Sequence, residues 1–202
     1  MLLSFFALCN SEIFFYEPFD AGWEDRWKKP TRVKRGVFLG HVKLSSGRYY
    51  ADEKRQRGLE TLEGHKNYIL YSQFPEIVGN MDKDLIIQYT VRFNHYIDCS
   101  GAYIKLLSPA TRMEHFNNKT EYLIMFGPDV CGAHLHDTKV IINHRGHYLP
   151  IKTRIPCFKD HLTHGYTLLI RLNGTIEVRI DGETVEAGLA TDLFDVPTVT
   201  EI

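Results

Sequence analysis

No apolar run in the 202 residues approaches the roughly 20 needed to cross a bilayer as a helix, so a membrane-spanning helix is excluded. No charge sign dominates either: 24 Lys and Arg face 25 Asp and Glu, for a formal net charge of -1. The broad cationic footprint of a nucleic-acid binder is therefore missing. The four cysteines never fall in the Cys-x-x-Cys spacing of a zinc knuckle or a redox dithiol. There is no Gly-x-Ser-x-Gly, no phosphate-cradling glycine loop, no internal repeat, no low-complexity tract and no convincing helical periodicity. Proline is sparse at 8, whereas aromatics are dense, with 11 Tyr, 12 Phe and 2 Trp. That composition suits a β-rich globular domain and excludes intrinsic disorder.

The chain begins with the apolar stretch Met1-Leu-Leu-Ser-Phe-Phe-Ala-Leu-Cys9, followed by the polar step Asn10-Ser11-Glu12. Ala7 and Cys9 are small residues two apart, as a signal-peptidase site after Cys9 requires, although no Lys or Arg precedes the apolar run. We expect a short or truncated signal peptide over residues 1–11 and one globular domain over 12–202. The competing reading is a buried strand, since Ile13-Phe14-Phe15-Tyr16 continues the apolar character. Loss of Cys9 with the signal leaves Cys99, Cys131 and Cys157, enough for one disulfide and one spare thiol. Sequons at Asn118 and Asn173 fit a chain of the secretory pathway.

Period-two alternation recurs along the chain. Leu85, Ile87, Tyr89, Val91 and Phe93 share one face of an expected strand, and Gln88, Thr90 and Arg92 the other. Tyr166, Leu168, Ile170 and Leu172 repeat the pattern. Asn173-Gly174 is expected to form a two-residue type I′ turn, Ile176, Val178 and Ile180 return, and Asp181-Gly182 turns again. Residues 166–187 thus read as a meander of three antiparallel strands. Further strands are expected at 43–44 into 49–50, 68–74, 102–107, 122–126 and 139–143. The fold class is all-β, a two-sheet sandwich or jelly roll of antiparallel strands.

Tyr103 and Lys105 lie two apart on an expected strand and so project from one face. The segment 122–131 brings Tyr122, Met125 and Asp129 towards Cys131. Aromatic rings that stack on sugar C–H groups, beside Lys and Asp as fixed hydrogen-bond partners, are what a carbohydrate requires. Composition alone favours a plainer arrangement, a core tyrosine pair with a surface Lys–Asp pair.

Ile124-Met-Phe-Gly-Pro-Asp-Val-Cys-Gly132 resembles the second signature of the calreticulin/calnexin family at every constrained position. Ile97-Asp-Cys-Ser-Gly-Ala-Tyr-Ile-Lys-Leu106 resembles the first, with Ser100 in place of a glycine. Phe19-Asp-Ala-Gly-Trp-Glu-Asp-Arg-Trp27, Leu44-Ser-Ser-Gly-Arg-Tyr-Tyr50, Lys54-Arg-Gln-Arg-Gly-Leu59 and Leu162-Thr-His-Gly-Tyr-Thr-Leu168 are also similar to the family's amino-terminal globular domain. The resemblance implies a lectin-type chaperone of the endoplasmic-reticulum lumen that binds monoglucosylated N-glycans on folding glycoproteins. It implies glucose contacts at Tyr103, Lys105, Tyr122, Met125 and Asp129, a Cys99–Cys131 disulfide, an unpaired Cys157, and a role in chaperone competence for His164. Calcium ligands implied by the resemblance are mostly backbone carbonyls at Pro18, Arg55 and Arg57.

The family's proline-rich arm, its returning strands and its acidic tail are not found in these residues. The segment after the arm supplies a further Asp and a Trp to the family's sugar site, and the carboxylate of its calcium site. Weak binding of both ligands is therefore the expectation for a domain truncated before the arm.

Other readings are weaker. His134 and His136, with Asp137, and His144 and His147 around Arg145-Gly146 form a zinc site only if the segments meet; solvated histidines are the plainer reading. A hydrolytic jelly roll needs two facing carboxylates, and the best local candidates, Glu177 and Asp181, sit in a hairpin of alternating charge. The basic run Lys28-Lys29-Pro-Thr-Arg-Val-Lys-Arg35 reads as a solvated loop. The functional alternative to a lectin is a sandwich that binds unfolded polypeptide or another protein partner.

Overall fold

The computed structural model describes residues 12–31, 38–117 and 119–197. The expected signal segment lies outside them, as do the second half of the basic run, residues 32–35, and the sequon residue Asn118. The chain forms two compact units, Met1–Val78 and Gly79–Ile202.

In the first unit, a one-turn helix α1 (Trp23–Arg26) precedes a two-stranded antiparallel ladder of β1 (Val42–Ser45) and β2 (Gly58–Thr61). The Glu17 carboxylate organises the entry. It accepts from the Phe19 amide (2.6 Å), Arg26 Nε (2.8 Å) and Trp27 Nε1 (2.9 Å), across a turn in which Phe19 takes φ 53°. Those bonds hold its pKa below the usual carboxylate range: the Arg26 hydrogen bond outweighs the opposing effect of burial. Nearby, Phe14 packs edge to face on Phe74 and Phe15 on Trp27, with Phe15 tilted against Phe74. Two expected strands fail here. Gly47, at φ 70°, turns the chain away before residues 49–50, so β1 pairs with residues 58–61 instead. Residues 68–74 make only one bridge, Lys28 to Tyr71. The next hydrogen-bonding position along that ladder is Pro30, which has no N–H to donate.

The second unit is a sandwich. Its strands are β3 (Leu85–Arg92), β4 (Cys99–Gly101), β5 (Ile104–Leu106), β6 (Ile124–Cys131), β7 (Leu135–His144), β8 (His147–Pro150), β9 (Thr163–Ile170), β10 (Thr175–Ile180) and β11 (Glu183–Leu189). A short helix α2 (Ala190–Leu193) follows. One sheet has the order β11-β10-β9-β3, and the other β4-β6-β7-β8 with β5 on the same edge of β6 as β4; every pairing is antiparallel. The expected alternation in β3 holds: Leu85, Ile87, Tyr89 and Val91 turn inward while Ile86, Gln88 and Thr90 are exposed.

From the other sheet, Phe126, Val130 and Val140 supply the buried face, against Tyr166, Leu168, Ile176 and Val178. The sheets meet at Tyr89, whose ring lies edge-on to Phe126 at 6.0 Å. Its hydroxyl stands 2.9 Å from the Ala102 carbonyl and 3.0 Å from that of Phe126. The β9–β10–β11 meander is present as expected, but its first turn is not type I′. Only Gly174 has positive φ there, and the turn closes through Gly174 N donating to Arg171 O. Both Asp181-Gly182 and Arg145-Gly146 have two positive φ values and match the hairpin twist.

Candidate functional site

The two signature segments become neighbouring strands. β4 and β5 run along β6 in one continuous register, from Cys99 opposite Cys131 to Leu106 opposite Ile124. Opposed residues of an antiparallel pair share a face. With Phe126 and Val130 turned into the core, the alternate residues form cross-strand rows on the outer face: Lys105, Met125 and Ile141, then Gly101, Asp129 and Asp137. Between them Tyr103 lies in the two-residue gap that separates β4 from β5, and Lys139 lies opposite Gly127 on β7.

All five residues singled out from the sequence meet on this face. The Lys105 ammonium lies 4.4 Å from the Tyr122 ring centroid and 5.7 Å from that of Tyr103, with Met125 directly opposite Lys105. Burial pushes the Tyr103 hydroxyl pKa up, and the charge of Asp129 adds to it. Burial lowers the pKa of Lys105. It raises that of Tyr122, with Tyr148 and Tyr103 contributing. The arrangement is an open, half-dry platform: aromatic faces, a cation partly stripped of water, and a carboxylate fixed in a strand beside a disulfide. Gly101 leaves room for it, since a β-carbon there would stand 2.4 Å from Cε1 of Tyr103.

The disulfide joins Cys99 and Cys131, opposite one another in register, and Cys157 is free and half-buried. Burial, then the charge of Asp137, raises the Cys157 thiol pKa.

Sequence reasoning did not assign Tyr148, Lys139 or Arg154 to a site, and it weighed Asp137 only beside the zinc-reading histidines. Tyr148 of β8 stacks on Tyr122, ring centroids 4.5 Å apart. Asp137, opposite Asp129, binds Arg154 Nε at 2.6 Å and Lys139 Nζ at 3.4 Å. Desolvation works against its charge, but those cations prevail and its pKa falls. The signal for Asp137 and Lys139 was their odd-position alternation with Ile141 and Asn143, legible once the strand expected at 139–143 is extended back to 135. Tyr148 carried no local signal.

The remaining candidates stand apart. His164 is buried, stacked on Phe158 at 4.2 Å, with Nδ1 2.6 Å from Asp181 Oδ2 and Nε2 2.8 Å from Asp160 Oδ1. Glu177 takes Arg171 (2.6 Å), Arg179 (2.5 Å) and the Thr184 hydroxyl (2.7 Å), which hold its pKa at about 2. Glu177 and Asp181 therefore serve different neighbours. Asn173 is exposed in its turn, its side-chain oxygen accepting from the Thr175 amide.

Pro18, Arg55 and Arg57 all lie in loops of the first unit. The Asp52 carboxylate caps the Lys54 and Arg55 amides at 2.9 and 3.0 Å, and Arg57 lines an open recess of about 480 Å³ with Lys43, Ser45 and Glu53. No group of three or more His, Cys, Asp or Glu able to hold a metal occurs among the described residues. The zinc reading thus finds no cluster. His136 instead approaches the Gly132 carbonyl and Lys159, and His144 and His147 pair across the end of a hairpin. Among the described residues no helix is long and apolar enough to cross a membrane.

Comparison with known proteins agrees with this architecture. A model of the calreticulin family matches residues 15–201. The chain is 38% identical over 195 residues to calreticulin of Caenorhabditis briggsae, covering 96% of this chain and 48% of that one. It is 40% identical over 198 residues to calreticulin of Entamoeba histolytica, covering 97% of this chain and 49% of the relative. It thus spans about half the length of the curated relatives it matches. Among solved structures, the T. cruzi calreticulin globular domain superposes with a TM-score of 0.85 at 32% identity, covering 95% of this chain and 70% of that one. The chain belongs to the calreticulin family.

Proposed function

We propose that the chain is a lectin-type chaperone domain of the endoplasmic-reticulum lumen, which holds monoglucosylated N-glycans of folding glycoproteins on the outer face of the five-stranded sheet. The calreticulin family is one of chaperones and lectins, not of enzymes, and that supports the general reading. The observation that carries the finer one is the meeting of Lys105 with the Tyr103 and Tyr122 rings, directly opposite Met125. In this reading Lys105 donates to sugar hydroxyls, Asp129 accepts from them, and Tyr103, Tyr122 and Met125 take the apolar C–H face. Calcium, where bound, would be held through the carbonyls of Pro18, Arg55 and Arg57. The Phe19 turn locked by Glu17 and the loop capped by Asp52 give those carbonyls shaped loops. Neutral ligands alone bind Ca²⁺ weakly, because affinity rises with ligand charge.

A glycan array probed with the chain displayed multivalently, so that the weak binding expected of it is retained, tests the lectin reading. The expected result is a signal for glucose-terminated oligomannose that its unglucosylated counterpart does not give and that Lys105→Ala abolishes. Equal signals from both proteins would move the sugar site elsewhere. No glucose-dependent signal would favour a sandwich that binds polypeptide.

A further inference from the structure

We propose that Tyr148 is a positioning residue of the sugar face: its ring holds Tyr122 where Tyr122 meets the Lys105 ammonium. The consequence for binding rests on the lectin reading above, whereas the positioning itself does not.

Tyr148 comes from β8, the edge strand of the five-stranded sheet, 26 residues beyond Tyr122. It opposes Asn143, and its neighbour Leu149 is buried. Alternation therefore puts Tyr148 on the outer face with Ile141, Met125 and Lys105. Its ring lies nearly parallel to that of Tyr122, at 30° and 4.5 Å between centroids, and its hydroxyl accepts from the Tyr122 amide at 3.4 Å.

Tyr122 needs such a partner. It precedes β6 and lies outside the ladder. The next residue is tied on both sides, Leu123 N to Leu106 O and Asn143 N to Leu123 O, both at 2.8 Å. Those bonds fix the backbone but leave the direction of the Tyr122 ring to its neighbours. The ring meets Tyr148 and, 4.4 Å from its centroid, the Lys105 ammonium. A lysine head on a flexible stem costs side-chain entropy to localise. A ring held in place supplies a fixed cation–π seat and so limits where the ammonium resides before any ligand arrives. The chain of dependence runs from Tyr148 to Tyr122 to Lys105.

The test uses the 202-residue chain. The Lys105 ε-methylene protons, next to the ammonium that lies 4.4 Å from the Tyr122 ring centroid, should be shifted upfield by its ring current, and Tyr122→Ala assigns that shift. We expect Tyr148→Phe to keep the upfield position, because the stacking surface remains. Tyr148→Ala should move the protons towards their random-coil position. Tyr148→Leu, which retains apolar bulk on β8, serves the same purpose if the alanine variant does not fold. Affinity for a glucose-terminated oligomannoside should fall about threefold to tenfold in the non-aromatic variants and stay within about twofold in Tyr148→Phe. Lys105 protons unmoved in both non-aromatic variants would overturn the proposal. Moved protons with unchanged affinity would overturn its consequence for binding. A wild-type chain that binds no such saccharide would refute the lectin reading, and the ring-current shift would still decide whether Tyr148 positions Tyr122.

Discussion

The hydroxyl of Tyr89 occupies the space that a side chain at Gly127 would need: a β-carbon there would stand 1.7 Å from the Tyr89 oxygen. Tyr89 crosses from one sheet to bond the Ala102 and Phe126 carbonyls of the other, and Gly127 lies beside both at φ 133°. The glycine of the Phe-Gly-Pro-Asp motif is thus required by packing and by backbone angle together. Gly127→Ala should destabilise the fold by about 3 kcal/mol or more. Adding Tyr89→Phe should restore part of that loss by removing the clashing oxygen. Urea denaturation of the two variants measures it. A loss under about 1 kcal/mol would show that the sheet interface yields more readily than its geometry implies.

His164 gives the fold a pH dependence of definite sign. Two carboxylates accept at its two ring nitrogens, an arrangement satisfied in full only when both nitrogens carry protons. Burial works against that charge, but the hydrogen bonds to Asp181 and Asp160 outweigh it, and the folded pKa is raised. The stability contributed is therefore fully present below the unfolded value of about 6.5 and is lost as pH rises through the folded one. The partners titrate oppositely. Hydrogen bonding to His164 lowers the pKa of both Asp160 and Asp181, so their share is lost as pH falls through their folded values. The stability difference between the wild-type chain and His164→Gln should be larger at pH 5.5 than at pH 9. A difference that is constant or grows towards pH 9 would contradict the clamp.

The disulfide and the free thiol separate cleanly by chemistry. Replacing Cys99 and Cys131 together by Ala should cost about 3–4 kcal/mol, the chain-entropy value for the 32-residue separation they close. Cys157 should react with a thiol reagent more slowly than an exposed cysteine at pH 7, because burial disfavours its thiolate, and should speed up on unfolding. Peptide mapping without reduction should join Cys99 to Cys131. A peptide joining Cys157 to either would overturn the assignment.

Much of the second unit was legible because alternation is a local signal. The alternating residues 85–93 gave β3, and those at 166–187 gave the β9–β10–β11 meander. The sugar-face residues were legible through i, i+2 spacing at Tyr103 and Lys105 and through the resemblance of the two signature segments. Long-range determinants were not. Tyr148 meets Tyr122 only because β7 and β8 fold back as a hairpin, and Tyr89 fills the site of an absent side chain on another sheet. The first unit read poorly because its form depends on breakers, with Pro30 ending a ladder after one bridge and Gly47 redirecting the chain after β1. Its one-turn helix, like α2, is too short to show a helical period.

The central claim is that the face bearing Tyr103, Lys105, Tyr122, Met125 and Asp129 is the sugar-binding face. A nitrogen–proton correlation NMR titration of the chain with a glucose-terminated oligomannoside, carried to millimolar concentration, tests it most directly, because it detects weak binding and locates it. We predict saturable shifts at the amides of residues 101–106 and 122–129, absent with the unglucosylated oligomannoside and lost in Lys105→Ala. Shifts confined to other strands, or none at millimolar ligand while the chain remains folded, would contradict the account.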